Sequence, residues 1–134
     1  MSWRLVRAAG VLLALSLMLG ELWRSWGAGR PLVFVLDDFV FGLPLLVAAI
    51  LGATTPWRRA FLAAAWGGNV GMLYGSFFTK VVEPGTVTAG NWNQAVLTGL
   101  IGVAFVVAIA GLAATLALPR PVTPLPDARY APAP

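Results

Sequence analysis

Residues 60–79 form an uncharged stretch, Ala-Phe-Leu-Ala-Ala-Ala-Trp-Gly-Gly-Asn-Val-Gly-Met-Leu-Tyr-Gly-Ser-Phe-Phe-Thr. As an α-helix it would be about 30 Å long, the thickness of a bilayer's hydrocarbon. At about 100° per residue, Gly67, Gly71 and Gly75 share one face with Ala64 and Gly68, and Asn69, Ser76 and Lys80 share the opposite face. Both faces ask for neighbours. Glycines admit a second backbone at close range, and hydrocarbon cannot satisfy polar groups. Trp66, Val70 and Phe77, on the remaining arc, suit lipid. The stretch predicts the central helix of a small transmembrane bundle.

Composition extends this reading to the whole chain. Of the residues, 59% are apolar and 10% charged, against about a quarter charged in soluble domains. The length suits one bundle of four helices. There is no cysteine and no histidine, so disulfides, thiolate chemistry and the usual nitrogen or sulfur ligands of zinc and haem are excluded. No cofactor, no metal site and no catalytic residue are expected. Gly67-Gly68-Asn69-Val70-Gly71 has the glycines of a phosphate loop, but it lies inside an apolar run where no phosphate would reach its amides. The nine basic residues stand singly or in pairs at the edges of apolar runs. That pattern marks membrane topology, and no nucleic-acid partner is expected.

Four segments are predicted, at about 5–23, 37–53, 58–80 and 94–118. The first has a basic start like a signal peptide. Its apolar run nevertheless approaches a full span and no Ala-x-Ala site follows, so it reads as a retained helix. Gly10, Ala14, Leu17 and Glu21 form its packing stripe. The second could begin at Leu32, placing Asp37 and Asp38 inside the helix, or at Asp37, making them a cap; 37–53 is the boundary adopted. Pro44 lies within it, and Asp38, Gly42, Leu45, Ala49 and Gly52 share a face. Thr55 and Pro56 are a cap and first residue for the third segment. Asn91 or Asn93 can cap the fourth, whose expected packing side is Ala95, Gly99, Gly102, Val106, Ala113 and Ala117. Between them, Pro84-Gly85 flanked by Val82 and Val87 suggests a short hairpin. From Pro119 on, six prolines in sixteen residues predict an extended, disordered tail.

Five of the six tryptophans (Trp3, Trp23, Trp26, Trp57, Trp92) sit at segment ends, where indoles prefer the headgroup zone. Arg4, Arg7, Arg58, Arg59, Arg120 and Arg129 fall on one side of the layout and Arg24, Arg30 and Lys80 on the other, so both termini are expected in the cytoplasm, the membrane being a bacterial inner one. The fold class expected is an all-α membrane bundle of two antiparallel hairpins.

The candidate polar or ion site is Asp37, Asp38, Lys80, Asn69 and Ser76, with Asp38 facing Lys80 as the natural pair. A carboxylate near hydrocarbon is costly and tends to be kept for a partner or an ion, although two acids in a first helical turn also simply meet the helix dipole; this capping role is the leading reading. For Asn69 an interhelical hydrogen bond is favoured over a polar path. Tyr74 is expected to pack, with its hydroxyl on a neighbouring carbonyl. Helix packing is assigned to Gly67, Gly71, Gly75, Gly99 and Gly102. The chain reads first as a non-enzymatic structural, assembly or accessory membrane subunit, with the lipid bilayer and either a second copy or another membrane protein as partners. The alternative is a small oligomeric channel or carrier using the Asp37 and Asp38 region.

Overall fold

The computed structural model describes residues 2–29, 31–85 and 89–119, which form four α-helices: α1 (Trp3–Ser25), α2 (Leu32–Leu51), α3 (Pro56–Val82) and α4 (Gln94–Ala117). Two of them, α1 and α4, are long and apolar enough to cross a membrane. The residues of the tail from Arg120 onward, and Val87 of the expected hairpin, lie outside the described residues; Val82 belongs to α3.

Local chemistry explains most helix starts. The Ser2 hydroxyl accepts from Leu5 N at the start of α1, and Pro56 occupies the first turn of α3. Asn93 caps α4, accepting from Ala95 N at 2.9 Å and from Val96 N. The start of α2 corrects the boundary adopted from sequence. Pro31, at φ −57°, precedes a helix that begins at Leu32, so Asp37 and Asp38 lie beyond its first turn and do not cap it. The helix then continues through Pro44. A proline there withholds one backbone donor, and the Asn69 side chain of α3 donates to the Phe41 carbonyl of the same turn at 3.0 Å.

The last carbonyls of a helix lack partners within it. Here other elements supply donors. Arg7 on α1 donates to Ala49 and Ile50 at the end of α2, each at 2.8 Å. Arg59 on α3 donates to Thr115 and Leu116 at the end of α4, and Trp3 Nε1 donates to Pro119 at 2.8 Å. At the opposite end, Asn91 donates to the Trp23 and Trp26 carbonyls, both at 2.9 Å, so it closes α1 instead of opening α4. A Cβ on Gly90, whose φ is +61°, would collide with the Arg24 carbonyl. These bonds join the starts of α1 and α3, and the loop before α4, to the ends of antiparallel neighbours.

The helices pack in a ring, α1 on α2, α2 on α3, α3 on α4 and α4 back on α1, with the closing α1–α4 contact the least extensive. No helix is central, which corrects the place expected for α3. What fills the middle is a side chain. Trp66 is wholly buried, together with Leu45, Leu62 and Leu73, and its indole lies between glycines. A Cβ at Gly111 would stand 2.5 Å from the ring and one at Gly10 would stand 3.4 Å from it. Trp66 therefore belongs to the core, not to a lipid-facing arc.

The stripes expected on α1 and α2 are the ones found inside: Gly10, Ala14 and Glu21, and Gly42, Leu45, Ala49 and Gly52, are buried. On α3 and α4 different stripes face the interior of this chain. Among the described residues nothing comes within 4 Å of a Cβ placed at Gly67, Gly71, Gly75 or Gly99, whereas Gly68 packs against Phe41 and Gly102 against Phe77. The inward stripe of α3 is instead Leu62, Trp66, Asn69 and Leu73. On α4 it is Leu97, Ala108, Gly111 and Thr115, while Val106 is exposed.

Substitution of Gly111 by Ala should destabilise the isolated chain by about 1 to 3 kcal/mol through overpacking against the indole. Gly71→Ala, which meets nothing and improves helix propensity, should be neutral or mildly stabilising. Thermal unfolding of detergent-solubilised monomer compares the two directly, and equal melting temperatures would remove Trp66 from the centre.

Candidate functional site

The loose α1–α4 contact leaves a cavity of about 730 Å³. Leu13 and Leu17 of α1 and Ile101, Ala104 and Val107 of α4 line its long apolar part. Its polar end is built by three helices: Glu21 and Arg24 of α1, Asp38 of α2 and Ser76 of α3, with Trp23 and Trp92 beside them. Helical spacing accounts for this. Leu13, Leu17, Glu21 and Arg24 recur at three or four residues, so one face of α1 carries both the apolar wall and the charges.

Glu21 and Arg24 are only 3% and 8% exposed. They form an ion pair at 3.1 Å across one turn, and the Ser25 hydroxyl donates to the second Glu21 oxygen at 2.6 Å. Paired carboxylate and guanidinium lower each other's cost of leaving water, which neither would bear alone. The arrangement is a cluster of charged and hydroxyl groups at one end of the cavity. It offers a carboxylate, a guanidinium and a hydroxyl, all oxygen or guanidinium nitrogen, and among the described residues no group of three acidic or metal-ligating side chains comes together.

Of the polar residues singled out in the sequence, Asp38 and Ser76 both line this cavity. Lys80 is buried nearby on α3, its Nζ 3.3 Å from the Ser76 carbonyl. Asp37 is exposed on α2. Asn69 lies elsewhere in the interior, 1% exposed, its amide bridging the Phe41 carbonyl and, at 2.9 Å, that of Ala65. Tyr74 packs its ring on Phe78 at 4.7 Å and Phe105 at 6.1 Å. Among the described residues its hydroxyl has no hydrogen bond, unlike the expectation. Sequence reasoning had Glu21 on a packing stripe but missed its pairing with Arg24 and Ser25. The signal was present as the i, i+3 and i, i+4 spacing of an acid, a base and a hydroxyl.

Comparison with models of protein families, with curated protein sequences and with solved structures gives no match.

The buried pair predicts strong non-additivity. Arg24→Met alone should lose about 3 to 5 kcal/mol by stranding the Glu21 carboxylate, and the double variant Glu21→Leu with Arg24→Met should recover much of that loss. A thermal double-mutant cycle measures it; additive losses would mean that the pair is not coupled.

Proposed function

We propose that all four helices cross the bilayer, that both termini lie in the cytoplasm, and that the chain serves as a non-enzymatic assembly or accessory subunit of a bacterial inner membrane. The observation that carries the membrane part is the surface: Leu12 and Leu19 on α1, Val40 and Leu43 on α2, Tyr74 and Phe78 on α3, and Val103 and Val106 on α4 are all exposed. An apolar exterior on every helix matches lipid as solvent and exceeds what water tolerates in a monomer. The donors at the helix ends fit the same reading, because backbone carbonyls have no partner in hydrocarbon.

Support for assembly over conduction comes from the middle of the bundle. Trp66 and its fully buried leucines occupy the axis, and Asn69 is engaged with backbone carbonyls. The outward face of Gly67, Gly71 and Gly75 is where a second helix, from another copy or another membrane protein, could approach closely. A channel or carrier has narrower support, since Asp37 is exposed on α2 and stands outside the polar end of the cavity.

Reporter fusions at Ala28, Pro56, Gly90 and the tail should read outside, inside, outside and inside. A tail read outside would remove the four-span layout. For the assembly role, Gly71→Leu should abolish crosslinked oligomers or partner capture while leaving monomer stability unchanged, and Val70→Leu should retain both. Oligomers or partners that survive Gly71→Leu would place assembly on another face.

A further inference from the structure

We infer that the α1–α4 groove holds one phospholipid with a primary-amine headgroup, one of its two acyl chains along the apolar walls and its head at Glu21, Arg24 and Asp38; the inference rests on the membrane reading above. Length is the first argument. From Ala9 to Arg24 the lining of α1 rises about 22 Å at 1.5 Å per residue. Half the hydrocarbon is about 15 Å. The groove thus covers one leaflet together with its headgroup zone.

Polarity is the second argument. The apolar part and the charged part lie at opposite ends of the groove, and Trp23 and Trp92 stand beside the charges, as indoles do at the headgroup level. Charge complementarity selects the head. The lining carries two carboxylates and one guanidinium. A guanidinium with five donors can meet a phosphate while keeping its bond to Glu21, and carboxylates with several lone pairs can accept further N–H donors beyond those already held. An ethanolamine head supplies both partners, a phosphate and an ammonium with N–H donors. A choline head supplies no N–H donor, and a glycerol head supplies no ammonium to meet Glu21 and Asp38.

The test is native mass spectrometry of the full chain in detergent with phosphatidylethanolamine, phosphatidylglycerol and phosphatidylcholine at equal concentration. The parent should retain one phosphatidylethanolamine in preference to the others by about tenfold or more. Gly20 lines the groove, and among the described residues nothing comes within 4 Å of a Cβ placed there, so Gly20→Phe should direct its ring into the groove. That variant should lose the lipid while keeping the melting temperature of the lipid-free protein. Glu21→Gln should bring phosphatidylethanolamine down toward phosphatidylcholine. Equal retention of the three lipids by the parent would overturn the headgroup assignment, leaving only an acyl-chain slot. Undiminished retention by Gly20→Phe would overturn the site itself, and so would a Gly20→Cys chain that forms disulfide dimers across the groove, which would make a second copy the occupant. A chain soluble without detergent would instead remove the membrane reading beneath it.

Discussion

The bundle depends on the fit of one indole between two glycines. Trp66 reaches from α3 across the interior toward Gly10 of α1 and Gly111 of α4, so a single side chain couples three helices. Large side chains at either glycine position would force the helices apart. With the middle filled by an aromatic ring, the four helices arrange as a ring of neighbours around it.

A second constraint operates at the helix ends. Arginines that sequence reading assigns to membrane orientation also terminate helices: Arg7 closes α2 and Arg59 closes α4. Each guanidinium keeps its charge near one end of the bundle and spends its donors on carbonyls that would otherwise go unmet. Topology signal and structural cap are here one residue. At the other end the task falls to a neutral amide, Asn91, on a loop held close to α1 by the absence of a side chain at Gly90. That loop also presents Trp92 to the groove.

The closing contact between α1 and α4 is where the ring is weakest, and the cavity lies there. Three helices contribute its polar end, so the site exists only once the ring has formed. The ion pair of Glu21 and Arg24 is local, while the addition of Asp38 and Ser76 is tertiary.

Much of the architecture is legible in the sequence because apolar runs of helical length, turn residues between them and capping residues are local signals. The α1 and α2 faces are also legible: Gly10, Ala14 and Glu21, and Gly42, Leu45 and Ala49, contrast with bulkier residues around them. On α3 two stripes competed, and the sequence could not rank them. The tertiary structure turned Asn69 inward and Gly67, Gly71 and Gly75 outward, because a polar amide needs a carbonyl partner such as Phe41 whereas a glycine tolerates either environment. On α4 nearly every face is apolar, so periodicity carries no preference, and only the shape of Trp66 decided that Gly111 lies inside and Gly99 outside. The start of α2 was likewise open in the sequence, since Leu32 to Leu36 suit helix or loop. The fold carried the helix back to Leu32, and in doing so placed Asp38 beside α1, where the site is.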